Sequence, residues 1–137
     1  MAHWLMKSEP VKYGWDDLVR DGRTHWDGVR NNQAALYLKA MQVGDTALLY
    51  HSNEGLAAVG IMKVVRTAYP DPSDEKGRFV MVDVAPVKPL KRHVTLAEMK
   101  AEPKLAGMAM FRQFRLSIAP LTDDEWAVLM GMAQTKG

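Results

Sequence analysis

The chain has 137 residues, 47% of them apolar and 25% charged, with 18 basic and 16 acidic side chains and a net charge of +2. These are the proportions of a folded globular protein, not a disordered or fibrous one, and the length is that of one domain over residues 1–137 with a core of its own. Cysteine is absent, which excludes disulfides, thiolate nucleophiles and Cys-ligated zinc.

The segment from Met1 to Lys7 has no basic stretch ahead of a long apolar run. Nothing in the chain approaches the ~20 apolar residues of a membrane span. The expectation is a cytoplasmic monomer that does not enter a membrane. The net charge is too small to demand a nucleic-acid partner. Residues 86–115 are nevertheless basic, with Lys88, Lys91, Arg92, Lys100, Lys104, Arg112 and Arg115 against Glu98 and Glu102. Such a run is either a basic face or an ordinary solvated surface.

In chain order, His3 to Met6 reads as a short strand, and Lys7-Ser8-Glu9-Pro10 ends it. Pro10 cannot donate to a ladder and restrains Glu9 to an extended form. Three polar side chains therefore gather at the end of a predicted central strand. Trp15 to Arg20 is a predicted short helix, with acids in its first turn and Gly22 as its stop. Next comes Trp26-Asp27-Gly28-Val29-Arg30-Asn31-Asn32, followed by a helical pattern to about Met41. Asn is a strong N-cap because its side-chain oxygen accepts from an otherwise unpaired amide. One reading makes Trp26 core, Gly28 a turn and Asn31 or Asn32 a cap. The other makes a flat aromatic, a basic side chain and a helix mouth into a recognition site.

Thr46 to Ser52 is a predicted strand, apolar on both faces and so covered on both. Asn53-Glu54-Gly55 has hairpin chemistry, and Leu56 to Arg66 is the returning strand, with Gly60 marking a bulge or bend. Tyr69 to Gly77 reads as a polar loop. Phe79 to Val87 is the next strand, with Val80, Val82 and Val84 on one face and Asp83 on the other. Pro86 and Pro89 mark its end or an edge. Thr95-Leu96-Ala97-Glu98 and Thr122-Asp123-Asp124-Glu125 are capping boxes opening two more helices, with a last strand from Arg115 to Pro120 between them. Trp126, Leu129, Met130 and Ala133 form the packed stripe of the terminal helix. Five strands among short helices predict an α+β fold, a small, bent, mixed barrel.

Catalytic signatures are missing. The four histidines, His3, His25, His51 and His93, have no paired metal-ligand spacing. Ser52 follows His51 directly, so in a strand the two point to opposite faces. What remains is a set of aromatic and polar residues at element ends: Trp4, Trp26, Tyr50 and His51 with Lys7, Ser8, Glu9, Asn31, Asn32 and Ser52. Proteins that hold an extruded base stack it on aromatics and hydrogen-bond its edge. Arg112 and Arg115 would extend such a site along the nucleic-acid backbone.

Several blocks resemble the EVE domain family of the PUA-like superfamily. They are Trp4-Leu5-Met6-Lys7-Ser8-Glu9-Pro10, Trp26-Asp27-Gly28-Val29-Arg30-Asn31 with Gln33-Ala34, Gly44-Asp45 and Tyr50-His51-Ser52. Gly60, Tyr69-Pro70-Asp71, Val82-Asp83-Val84, Leu105 and Arg115-Leu116-Ser117 with Pro120 follow in the family's order. The resemblance implies a five-stranded PUA-like barrel with flanking helices, similar in fold to the YTH domain. It implies a non-catalytic reader of a modified base, in DNA such as 5-methylcytosine derivatives or in RNA, with no metal and no cofactor. On that likeness Lys7, Ser8 and Glu9 line one wall and Trp26 stacks on the base. Gly28, Val29, Arg30, Asn31 and Asn32 run past the base and its phosphate, and Tyr50, His51 and Ser52 close the opposite wall. The alternatives are a protein-interaction module, and an enzyme or small-molecule binder in the same pocket with Glu9 as its base.

Overall fold

The computed structural model describes residues 2–137. Six strands form one sheet: β1 (His3–Ser8), β2 (Thr24–Trp26), β3 (Thr46–His51), β4 (Ala57–Pro70), β5 (Val80–Thr95) and β6 (Ile118–Leu121). Their order is β2-β5-β4-β3-β1-β6, and only the β1–β3 pair is parallel. Among the described residues five α-helices flank the sheet: α1 (Trp15–Asp21), α2 (Asn32–Ala40), α3 (Leu96–Ala101), α4 (Ala109–Arg112) and α5 (Asp123–Met132).

The sheet corrects the expected architecture. It is α+β, as predicted, but it has six strands instead of five and it is open, not a closed barrel. Its outer strands are β2, of three residues, and β6, of four, at opposite ends of the order. Such short edges offer too few backbone groups to close a barrel, which needs a continuous ladder between first and last strands. β2 escaped the sequence reading because three residues are too few for a period to show.

Both faces of the sheet are covered, so the middle strands are apolar on both sides. In β1, Trp4 and Met6 enter one core with Leu18 of α1 and Leu38 of α2. Leu5, between them, enters a second core with Met99 of α3, Met110 of α4, and Trp126 and Leu129 of α5. One buried acid ties the start of β1 in place: Asp45 accepts from the Trp4 indole at 3.1 Å and from the Gln42 amide at 3.0 Å.

The helix starts follow their predicted chemistry. Asn31 is the cap of α2, its Oδ1 accepting from the Ala34 amide at 2.9 Å. Thr95 and Thr122 make the two capping boxes with Glu98 and Glu125. The long hairpin departs from expectation. β4 continues through Tyr69 and Pro70, which the sequence put in a loop. β5 runs past Pro86 and Pro89 to Thr95. The prolines do not stop it because the pairing slips beside them, between Ala58 and Gly60 and between Ile61 and Met62, and a bulge tolerates a residue without an N–H.

Gly60 lies at one of these slips, and the Trp15 ring of α1 rests against it. A Cβ there would stand 2.3 Å from Trp15 Cζ3. Gly60→Ala is therefore expected to displace the indole and lower stability by about 1–3 kcal/mol, the usual penalty of overpacking. Urea unfolding checks this, and Trp15→Leu in the same chain should recover part of the loss. An unchanged midpoint would mean that the contact carries no constraint.

Candidate functional site

β1 is paired on both edges and buried on both faces until it reaches its C-terminal end. There the side chains turn polar. Two adjoining clefts open at this end and share Lys7 and Glu9 as their dividing wall. The first, about 530 Å³, is lined by Lys7, Ser8 and Glu9, by Lys12 and Tyr13 of the following turn, by Thr24, His25 and Trp26 of β2, and by Asp27 just after it. The second, about 570 Å³, adds Tyr50, Ser52, Asn53 and Leu56 of the β3–β4 hairpin, and Phe114, Arg115 and Ser117.

The local chemistry fixes the wall. Glu9 O accepts from the amides of Lys12 and Tyr13 at 2.9 Å, making a tight turn after the strand. Ser8 Oγ donates to Tyr13 O at 2.6 Å, so its proton is spent and its lone pairs remain. The Ser52 amide bonds Ser8 O at 2.9 Å, tying the hairpin to β1. Lys7 Nζ donates to Phe114 O at 2.8 Å and lies 4.4 Å from the centroid of the Phe114 ring. Burial pushes the Lys7 ammonium below its ordinary value, which marks it as a partly desolvated cation. Phe114 is 51% exposed, a large apolar surface at the mouth of the second cleft.

The predicted residues thus separate into groups. Lys7, Ser8, Glu9 and Trp26 meet in the first cleft, though Trp26 is 8% exposed and mostly core. Tyr50, Ser52 and Arg115 join Lys7 and Glu9 in the second. The Tyr50 hydroxyl is buried without a partner among the described residues. His51 turns elsewhere: its Nε2 accepts from the Trp15 amide at 3.2 Å, and burial lowers its basicity, with His93 adding to the effect. Arg112 is exposed on α4, outside both clefts.

The Gly28–Asn32 stretch lies apart from the clefts and is held by Asp71, which is 2% exposed. Asp71 Oδ2 accepts from the Gly28 amide at 2.9 Å and from Arg30 Nη1 at 3.1 Å. Arg30 also donates to Ser73 Oγ at 2.9 Å. Gly28 has φ +76°, which no β-branched residue could adopt cheaply. Val29 is buried and Asn32 exposed. This stretch anchors β2, and with it Trp26, to the loop after β4.

The sequence reading missed Tyr13, Thr24, His25 and Phe114, and the buried Asp83 behind His25. Asp83 had been read as lying on the face opposite the valines. It does, but that face is sealed too, and Asp83 is 1% exposed. It accepts from Arg23 Nη2 at 2.9 Å, from His25 at 2.9 Å and from the Tyr69 hydroxyl. The signal available in the sequence was a lone acid inside an apolar strand, which demands partners. Among the described residues, no three His, Cys, Asp or Glu side chains gather to hold a metal.

The fold is an α+β domain, a helix-covered open sheet with two adjoining polar clefts at the end of β1, which lies inside the edge strand β6 and is not the central strand expected. The EVE domain family profile matches residues 2–132, and the chain belongs to that family. Human thymocyte nuclear protein 1 is 38% identical, covering 97% of this chain and 74% of the human protein. An NMR structure of a Rhodopseudomonas palustris protein is 50% identical with a TM-score of 0.92, covering 98% of this chain and 94% of that one. The crystal structure of human THYN1 protein in complex with 5-methylcytosine containing DNA is 37% identical with a TM-score of 0.91, covering all of both chains. The expectation of a cytoplasmic protein is corrected here, since the human and chicken relatives carry a nuclear name. No helix among the described residues is long and apolar enough to cross a membrane, and that property does not separate cytoplasm from nucleus.

The two buried acids give a pH dependence of stability. Burial alone would raise Asp71, but bonds from Ser73, Gly28 and Arg30 outweigh it and hold the carboxyl at about 2, below the ordinary 3.8. Burial would likewise raise Asp83, but bonds from His25, Tyr69 and Arg23 outweigh it and lower the carboxyl to about 2 as well. Depressed carboxyls stabilise the fold above their unfolded value and lose that contribution as pH falls through the folded one. Each is expected to supply about 2 kcal/mol that disappears between about pH 4 and pH 2. Urea unfolding as a function of pH checks this, with Asp71→Asn expected to flatten the acid limb while lowering stability at pH 7. An acid limb equally steep in that variant would contradict the assignment.

Proposed function

We propose that this domain is a non-catalytic reader of a modified base in DNA, and that the base enters the cleft formed by Lys7, Ser8, Glu9 and Trp26. The observation that carries the reading is that cleft. It lies at the polar C-terminal end of a strand whose middle is buried, in a chain that aligns over its whole length with a protein solved on DNA containing 5-methylcytosine. Stacking on an aromatic contributes ~1–3 kcal/mol per base. Trp26, mostly buried, supplies a firm patch of contact more than a free platform. Ser8, with its proton spent on Tyr13, accepts from the base edge. Lys7 sits between the two clefts and meets the phosphate joining two nucleotides.

The second cleft carries the neighbouring strand. Phe114 offers apolar surface to the next nucleotide, and Arg115 its charge to the backbone, with Tyr50 and Ser52 forming the wall behind. Arg112 and Asn32, both exposed, touch only more distant phosphates. Gly28, Val29, Arg30 and Asn31 act by holding Trp26 and α2 in place, and His51 by holding α1. Glu9 pairs with Lys12 at 3.5 Å and serves as an acceptor on the wall, not as a catalytic base.

The test is a titration against labelled DNA and RNA strands of one flanking sequence. The central base varies among cytosine, 5-methylcytosine, 5-hydroxymethylcytosine, adenine and N6-methyladenine. A preference of tenfold or more for a modified cytosine in DNA, about 1.4 kcal/mol, is expected. Lys7→Gln and Arg115→Gln should each weaken modified and unmodified DNA alike and reduce the slope of log affinity on log salt by about 1. Equal affinity for every strand would leave only a generic basic surface and contradict the reading.

A further inference from the structure

His25 lies in the middle of β2, directly opposite Asp83 of β5 in the antiparallel register. Its Nδ1 is 2.9 Å from Asp83 Oδ1. Asp83 is buried, and its other oxygen receives Arg23 at 2.9 Å. The Tyr69 hydroxyl also donates to Oδ1, from β4. Arg66, in turn, stacks 3.6 Å from the Tyr69 ring centroid. A carboxylate held by three donors is itself an acceptor only. The Tyr69 oxygen is also 2.9 Å from Nδ1 and, with its proton directed to Asp83, it too accepts there; the proton of neutral His25 therefore resides on Nδ1, and Nε2 is left with a free lone pair on the opposite side of the ring.

That opposite side faces outward. The His25 side chain is 64% exposed, and the residue lines the first cleft beside Trp26. Four other groups of the cleft, on Ser8, Tyr13, Glu9 and Asp27, share its character. The Ser8 hydroxyl donates to Tyr13 O, and the Tyr13 hydroxyl donates to Asp21 at 2.8 Å. Glu9 and Asp27 are acceptors by nature. Beside His25 the cleft thus presents acceptors at Ser8, Tyr13, Glu9 and Asp27, while Lys7, Lys12, the Thr24 hydroxyl and the Trp26 indole are the donors of its lining.

We infer that His25, held in one tautomer by Asp83 and Tyr69, is the acceptor for an exocyclic amino group, so that the cleft selects amino-bearing bases of the cytosine class over their carbonyl analogues. This rests on the reader function proposed above. A base with a carbonyl in the same position would set lone pair against lone pair. A site built to bond an amine rejects an analogue lacking it, because its own polar groups are then left unpaired. Asp83 and Tyr69 are positioning residues: they reach the ligand only through the imidazole.

Two bases separate this from a general effect. 5-Methylcytosine and thymine share the ring and the methyl group, and differ in an amine against a carbonyl and in the proton on N3. Binding is measured for a DNA strand carrying one or the other, and for the same strand with unmodified cytosine, using the wild-type protein, His25→Ala and Tyr69→Phe. Circular dichroism confirms folding. Wild type is expected to prefer 5-methylcytosine over thymine by tenfold or more. His25→Ala should bring that ratio within about threefold while keeping the preference of 5-methylcytosine over cytosine. Tyr69→Phe, which leaves the imidazole in place but loosens its carboxylate, should fall between. A ratio unchanged in His25→Ala, with the methyl preference intact, overturns this inference and leaves the reader function standing. Absence of any preference among the three strands in wild type overturns both.

Discussion

The structure depends on the position of β1. It is paired with β3 on one edge and β6 on the other, and its alternate side chains enter separate cores on the two faces of the sheet. A strand so enclosed leaves its middle, Trp4 to Met6, to apolar side chains and its polar residues to the ends. At the C-terminal end Lys7 and Ser8 still pair with Tyr50 and His51 of β3 but lie past the β6 ladder, with Glu9 beyond both. The clefts open there because that is where the enclosure ends, and the tight turn at Glu9 directs the following residues back over the opening.

Two buried carboxylates then carry the second wall to meet it. Asp71 grips the chain after β2 through Gly28 and Arg30. Asp83 grips the strand itself through His25. β2 has only three residues and lies at an edge, too short to hold itself by backbone pairing. Burying an acid costs several kcal/mol unless donors surround it, and here each acid draws some of its donors from the segment it restrains, Gly28 and Arg30 for Asp71 and His25 for Asp83, and the rest from Ser73 and from Arg23 and Tyr69. The same bonds that satisfy Asp83 also fix the tautomer of His25, so the tie that places β2 sets the hydrogen-bonding sense of the cleft.

Much of this was legible in the sequence where chemistry acts locally. The caps at Asn31, Thr95 and Thr122 and the stop at Gly22 follow from residue type and spacing. The K-S-E-P and W-D-G-V-R-N blocks led to the right family. What was not legible depends on distant partners. Pro86 and Pro89 read as an end or an edge of β5, and the strand does not end there, because their effect depends on the register of β4, which slips beside them. β2 was invisible because its support is Asp83, some sixty residues on. Asp71 read as part of a polar loop, although Gly28 and Arg30, forty residues earlier, turn it into a buried anchor. The predicted site suffered in the same way. Arg30 and Asn31 have free polar groups in the sequence and occupied ones in the fold.

The central claim is that the ligand enters at the end of β1 and against β2. Amide chemical-shift mapping during titration with a strand containing 5-methylcytosine tests it most directly. The account predicts that the largest changes fall on Lys7, Ser8, Glu9, Tyr13, His25 and Trp26, with a second group at Ser52, Phe114 and Arg115. Changes concentrated instead on α2 and the Asp71 loop, or on α5, with the end of β1 silent, would contradict it.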